Sequence, residues 1–284
     1  MTTLENSILQ EYKESLPRQQ ILSQSDKIKV KIFFLLLTLL IFLFPKGNVH
    51  RFEKSLKFYL GLIDINNDDC NPQQKPKEFL YLGLTSKPWY ESSDYDVLKF
   101  VSNTLTKGAK DIENEWSSNR LNKRRLVSRI RASDLYPSLK EDDWGEFMLW
   151  KDGKFTRTAR FLFPKTVRIV SSLKPFIIPF GQVVFYVLKP GVAIPPHHDL
   201  SNIDVTCQLG LIIPENCAIR VGNETRTWTE GKTLFFDHSF EHEAWNKSQK
   251  ERVVLLLDLY HPELTKIEKF LLHFFAKAFV GDID

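Results

Sequence analysis

Between Thr166 and Tyr260 the chain breaks into short apolar runs: "TVRIV", "QVVFYVL", "VTCQLGLII", "AIRVG", "TRTWT", "KTLFFD" and "ERVVLLLDLY". Gly, Pro, Asn or Asp bounds each of them, the punctuation expected of β-strands. Seven strands in under 100 residues predict a mainly β sandwich or jelly roll. Helices are expected on either side. Val97, Phe100, Val101, Leu105, Ala109, Ile112 and Trp116 recur at helical spacing between about Ser93 and Asn119. After the strands, "IEKFLLHFFAKAF" (Ile267–Phe279) has the pattern of an amphipathic helix, with a phenylalanine-rich face that either packs on the β region or meets a membrane.

The front of the chain is of a different kind. "IFFLLLTLLIFLF" (Ile32–Phe44) is 13 residues without a charge. As a helix it reaches about 20 Å, short of a hydrocarbon core of roughly 30 Å. Extension back to Ile28 gives 17 residues, with Lys29 and Lys31 snorkelling to the headgroups and Pro45 ending the run. The polar stretch before it is too long for an ordinary cleaved signal peptide. A membrane anchor is the expectation, against an in-plane segment or a buried core helix. Residues 1–60 carry nine Lys/Arg against five acids, which accounts for the whole net charge of +4. A neutral body behind a basic front excludes a nucleic-acid-binding face and suits a membrane surface. Lysines flank the run on both sides, so charge does not set its orientation. Cys70, Cys207 and Cys217 are too few and too far apart for a disulfide scaffold and form no CxxC site. They point to a reducing compartment, hence a single-pass membrane protein with its main domain on the cytoplasmic side. The expected order is a basic polar segment (1–27), the anchor (28–45), a juxtamembrane helix and linker (46–78), a helical lead-in (79–165), the β core (166–265) and the amphipathic helix (266–284).

Four of seven histidines fall in the β region in two tight clusters, "PPHHDLSN" and "FFDHSFEHEAWN". Side chains at i and i+2 of a strand share a face, so His197 and Asp199 are expected to converge and His198 to point away. A second strand offers His238 or His242. Two histidines and a carboxylate on one face of an octahedron form the facial triad of non-haem Fe(II) oxygenases. A His-x-Asp followed 43 residues after Asp199 by His242 has the separation expected of ligands on distant strands of one jelly roll. Such oxygenases usually draw electrons from 2-oxoglutarate, whose distal carboxylate favours an arginine fork over a lysine. Arg252, ten residues past His242, is the candidate, on a strand expected beside that of His242. Lys247 and Lys250 lie in the polar "NKSQKE" turn. His238 is expected to line a turn, and His261 to be structural.

"VVFYVLKPGVAIPPHHDLSN", "QLGLIIPENCAIRVGNETRTWTEGKTLFFDHSFEHEAWN" and "ERVVLLLDLYHPELT" resemble the aspartyl/asparaginyl β-hydroxylase family, which includes bacterial lipid A 2-hydroxylases. The resemblance runs from about Lys87 to Thr265 and is strongest over residues 181–265. It implies a double-stranded β-helix of the cupin type that uses Fe(II) and 2-oxoglutarate. His197 and His242 match the metal histidines, and Arg252 matches the arginine that holds 2-oxoglutarate. Peptide hydroxylases of the family have glycine at Asp199, whereas the lipid hydroxylases share His-x-Asp. "DHSFEHEAWN" and "HPELT" are closer to the peptide enzymes. The family usually has Arg and His at Thr206 and Gln208, near the other end of the cosubstrate, and serine in the peptide enzymes at Tyr186. Gln208 and Tyr186 are therefore expected beside 2-oxoglutarate, and Trp144 beside the substrate.

The resulting expectation is a membrane-tethered 2-oxoglutarate dioxygenase. Its metal is held by His197, Asp199 and His242, and it hydroxylates a lipid acyl chain. The alternatives are β-hydroxylation of Asp or Asn in a polypeptide, or a catalytically silent jelly roll that binds a ligand or partner. A zinc hydrolase is disfavoured because no general base and nucleophile accompany the ligands.

Overall fold

A computed structural model describes residues 49–65, 71–119, 128–129, 139–140 and 143–277. The basic segment 1–27, the apolar run, Cys70 and the last residues of the C-terminal helix lie outside these. Among the described residues no helix is long and apolar enough to cross a membrane. The helices are α1 (His50–Tyr59), α2 (Asp96–Ser118), α3 (Arg157–Leu162), α4 (Pro164–Ser171) and α5 (Lys266–Phe275). The strands are β1 (Trp89–Tyr90), β2 (Ser128–Arg129), β3 (Trp144–Lys151), β4 (Lys154–Phe155), β5 (Val183–Leu188) and β6 (Val192–His197). They continue with β7 (Asp204–Ile212), β8 (Cys217–Val221), β9 (Glu224–Arg226), β10 (Thr233–Phe236), β11 (His242–Asn246) and β12 (Arg252–Tyr260).

The chain forms two compact units, one of Lys87–His197 and Asp204–Pro262, the other of Met1–Ser86, His198–Ile203 and Glu263–Asp284. All the strands belong to the first. They make an antiparallel sheet ordered β1-β10-β7-β12-β5-β3-β2, with β4 beside β3, and a four-stranded sheet ordered β6-β11-β8-β9. One face of the large sheet is covered by α2, through Leu98, Val101, Leu105 and Trp116, together with α3 and α4. Its other face shares a core with the small sheet, where Leu188 and Val254 meet Ile194, Ile219 and Ala244. Covering on both faces explains why β12 is buried at every position. A half-exposed strand would alternate; "RVVLLLDLY" does not.

Two sequence expectations need correction. "TVRIV" is not a strand but the body of α4. Pro164 opens that helix, where a missing N–H costs nothing. The buried Glu115 of α2 then accepts from the amides of Lys165 and Thr166 (2.8 Å each) and the Thr166 hydroxyl (2.7 Å). Gly108 lets the two helices approach, since a Cβ there would meet Ile169 Cδ1 at 2.7 Å. Conversely, the sheet begins earlier than Thr166. β3, within the stretch expected to be helical or irregular, pairs along β5 from Trp144↔Leu188 to Trp150↔Val183. The "TRTWT" run contributes only Thr225 and Arg226 to a strand, at the end of β9.

Glu115→Ala is expected to lower the stability of this unit by about 2–3 kcal/mol, because it strips three hydrogen bonds from a charged, buried acceptor. Glu115→Gln keeps an acceptor and should lose less. Thermal melts of the two variants check this, and equal midpoints with the parent protein would rule out the capping role.

In the second unit, α1 and α5 are joined at Arg51. Its Nε and Nη2 donate to the two oxygens of Glu268 (3.0 Å each). The Tyr81 hydroxyl donates to the same buried carboxylate (2.8 Å), and Thr265 completes a capping box at the start of α5. Phe275 packs its ring against Phe52, Tyr59 and Phe79. Helices thus occupy His50–Tyr59 and Lys266–Phe275, and Ser201 bridges to Phe79.

Candidate functional site

The two histidines expected to bind metal come together. His197 ends β6 and His242 begins β11, and the two residues are register partners. Their rings lie 4.1 Å apart between centroids at 51°. Pairing then slips: Ala244 faces Ile194 rather than Pro195, a bulge in β6. The bulge matters because Ile194 points into the core. Strict alternation from Ile194 would turn His197 outward, and the extra residue re-aims it toward His242. Each imidazole is also pinned by the same local device. His197 Nδ1 donates to the carbonyl of Pro195 (2.8 Å), and His242 Nδ1 donates to that of Phe240 (3.0 Å). A carbonyl only accepts, so the neutral rings carry the proton on Nδ1 and the lone pair on Nε2. This is the orientation and tautomer that outer hydrogen bonds impose on metal-binding histidines.

Strand β6 stops at His197, so the alternation argument does not extend to His198 and Asp199. These follow in the segment 198–203, where the carbonyls of Asp199 and Leu200 accept from Lys77, Glu78 and Phe79 (2.9 Å each). Asp199 stands in that segment, two residues past His197.

Arg252 lies in the same interior as the histidines, but not where it was expected. Its strand pairs with β5 and β7 in the large sheet, whereas the His242 strand is in the small one. The ten-residue interval is a crossing between sheets. Asn246, fully buried, holds that crossing by donating to the carbonyls of Leu188 (2.9 Å) and Lys250 (2.7 Å). Arg252 itself is 2% exposed, and its Nε has no hydrogen-bond partner. It makes no ion pair among the described residues; its guanidinium lies over the ring of Trp228, 4.7 Å from the centroid. Burial pulls its pKa down to about 10, and the nearby Cys217 opposes that shift. The group remains a cation at neutral pH, desolvated and with no counter-ion among the described residues. The chemistry of such a group suits a carboxylate.

The same Trp228 donates through Nε1 to Gln208 Oε1 (2.9 Å), which fixes the amide with its NH₂ directed away. Gln208 faces Leu256 across the ladder, four residues along β12 from Arg252, or about 14 Å of strand. Trp228 thus spans the interval between the two, and the sequence reading missed it. Its signal was weak, a lone tryptophan in a run taken for a strand. Trp144, Leu188 and Arg252 form one transverse row across three strands. The Trp144 ring packs on Tyr186 at 5.1 Å, and the Tyr186 hydroxyl donates to Gln182 Oε1 (2.8 Å). Beyond Gln208, Thr206 meets His238 Nδ1 (3.3 Å), and His238 Nε2 lies 3.0 Å from Asp204. Asp204, His238 and Asp258 make a second group whose donor atoms lie within 4.8 Å of one another. His261 is tied to the Tyr90 hydroxyl (2.9 Å), in keeping with a structural role.

Residues 106–262 match the family model described as "Aspartyl/Asparaginyl beta-hydroxylase", more than half of the chain. The chain belongs to the aspartyl/asparaginyl β-hydroxylase family. It is 34% identical over 190 residues to the "Aspartyl/asparaginyl beta-hydroxylase" of Mus musculus, covering 64% of this chain and 24% of that protein. It is 31% identical over 205 residues to the "Aspartate beta-hydroxylase domain-containing protein 2" of Xenopus tropicalis, covering 69% of this chain and 53% of that one. With the "Ornithine lipid ester-linked acyl 2-hydroxylase" of Rhizobium tropici it shares 28% over 207 residues, covering 67% of this chain and 72% of the relative. The match thus spans about a quarter of the mouse protein but most of the bacterial one.

Proposed function

We propose that this protein is a membrane-tethered Fe(II)- and 2-oxoglutarate-dependent hydroxylase acting on a lipid acyl chain. The observation that carries the cosubstrate is Arg252, a buried guanidinium with no counter-ion among the described residues, in a unit that also holds a pair of oriented histidines. Fe(II) with 2-oxoglutarate and O₂ supplies the power to hydroxylate an unactivated C–H, releasing succinate and CO₂. The protein's own residues do the rest. His197 and His242 hold the metal through Nε2, and Asp199 adds an anionic ligand. Two residues keep the Cα of Asp199 within about 7 Å of that of His197, whatever the backbone does between them. Arg252 takes the distal carboxylate as a fork, with its plane steadied on Trp228. Gln208, held by Trp228, offers its NH₂ to the other end. Trp144 and Tyr186 wall the substrate side and keep water out.

The lipid acyl reading is supported by the apolar run and basic front, by Asp199, and by the coverage of the ornithine lipid hydroxylase. Tethering would raise the effective concentration of such a substrate at the bilayer. A polypeptide substrate is the second reading, favoured by the "DHSFEHEAWN" and "HPELT" motifs and by the higher identity to the animal enzyme. The test is succinate release by the full chain with Fe(II) and 2-oxoglutarate, against acyl-lipid vesicles and against Asp/Asn peptides. Substrate-stimulated succinate with the lipids alone is the expected result. Stimulation by peptides alone moves the protein to the second reading. Failure with both, with no iron bound, identifies a silent binding protein.

A further inference from the structure

The buried side of α5 is accounted for. Phe275 sits among Phe52, Tyr59 and Phe79, and Glu268 is clamped by Arg51 and Tyr81. The opposite side faces solvent. Lys266, Phe270, Phe274 and Lys277 fall four, four and three residues apart, one stripe along the helix, and all four are exposed. Phe270 is 60% and Phe274 44% exposed. Single apolar residues at a surface need no explanation, but two phenylalanines one helical turn apart form a patch. A lysine closes the stripe at each end.

We propose that this stripe seats the protein on an anionic membrane surface, the two phenyl rings entering the headgroup boundary and the two lysines meeting lipid phosphates. Interfacial helices combine an aromatic face with flanking lysines in this way. The chain's own path argues for the same partner. The apolar run ends at Phe44, and only seven residues further on Arg51 is bonded to Glu268 of α5. Seven residues span at most about 25 Å. If the run enters a bilayer, as the tethered reading holds, α5 is leashed close to that bilayer. The inference rests on that reading for the leash and on the exposed stripe for the contact, and the two are separable by experiment.

The full chain, in a Cys70→Ser background, is reconstituted into phosphatidylcholine vesicles with and without phosphatidylglycerol. An environment-sensitive fluorophore is placed at Phe270→Cys, with Lys110→Cys as the comparator, an exposed position on α2. Vesicle flotation reports the tether, and quenching by brominated acyl chains reports the contact. The expected result is co-flotation, with a blue-shifted, bromolipid-quenched signal at position 270 and neither effect at position 110. Quenching should be stronger with phosphatidylglycerol and lost when Lys266→Glu and Lys277→Glu are added. Flotation with position 270 as unquenched as position 110 overturns the stripe and leaves the tether standing. No flotation overturns both. A blue shift that grows with protein concentration and ignores bromolipid would assign the stripe to a second copy of the chain and also overturn the proposal.

Discussion

Arg252→Met is expected to give a protein that is more stable than the parent and no longer binds 2-oxoglutarate. The physical reason is that Arg252 is a buried charge with no counter-ion among the described residues. Desolvating a cation costs several kcal/mol, and the ring of Trp228 returns about 2 kcal/mol of that. Methionine has a similar reach, no charge, and a flexible stem that fills irregular space. A net gain of about 1–3 kcal/mol follows, or a rise of several degrees in melting temperature. The same substitution removes both arms of the carboxylate fork. Arg252→Lys separates charge from geometry: it keeps a cation but breaks the fork, at about 1.5–3 kcal/mol, so KM for 2-oxoglutarate should rise roughly 10- to 150-fold. Iron binding should be nearly unchanged in both variants. Differential scanning calorimetry and succinate kinetics read the two effects independently. A lower melting temperature for Arg252→Met would mean that the guanidinium has a partner and is part of the fold. An unchanged KM for Arg252→Lys would move the cosubstrate to another cation.

The division between what the sequence disclosed and what it hid follows from the range of each interaction. Periodicity is local, so α2, α5 and the strands β5, β7, β8, β10 and β12 were legible as helical spacing or short apolar runs. "TVRIV" misled because β-branched residues favour strands in isolation, while a proline at the helix start and a carboxylate from α2 decided for a helix. The proline is a local signal, but the carboxylate is tertiary: Glu115 lies 51 residues before Thr166 and no local pattern records it. β3 was missed for the same reason: "WGEFMLWK" becomes a strand by lying along β5.

At the site, the residue types were legible because the chemistry restricts them so tightly. A His-x-Asp, a distant His and an Arg leave few alternatives. Their geometry was not. The bulge that turns His197 inward is a register slip against β11, invisible in one strand. Arg252 was expected beside His242 because ten residues suggest a hairpin, and Asn246 makes the turn a crossing between sheets instead. Thr206 stands where the family resemblance implies an arginine. The structure sets an imidazole, His238, against that threonine, 32 residues away in the chain. Trp228 is the same lesson: its importance lies in touching Arg252 and Gln208 at once, which no spacing announces.

The metal ligands themselves are best separated by three single substitutions read by iron titration. His242→Ala should have the largest effect. The residue is 7% exposed, its Nδ1 is pinned to Phe240, and its Nε2 has been given one orientation by the fold. Losing a supporting partner of a metal ligand costs 10- to 100-fold in affinity, so losing the ligand should cost at least about 100-fold, and turnover with it. Asp199→Gly should weaken iron binding by at least about tenfold, because it removes the proposed anionic ligand while both histidines stay oriented. Relatives with glycine at that position set a limit on this loss, and residual turnover in Asp199→Gly is compatible with the assignment. His198→Ala is the control. It shares the segment beyond β6 with Asp199, so any general damage to that segment would appear in both variants. The charge-transfer absorbance of bound 2-oxoglutarate on Fe(II) reports metal and cosubstrate together, and direct metal analysis reports the iron alone. If His198→Ala loses iron and Asp199→Gly retains parental affinity, then the carboxylate is not a ligand, His198 is, and the segment after His197 turns the opposite way.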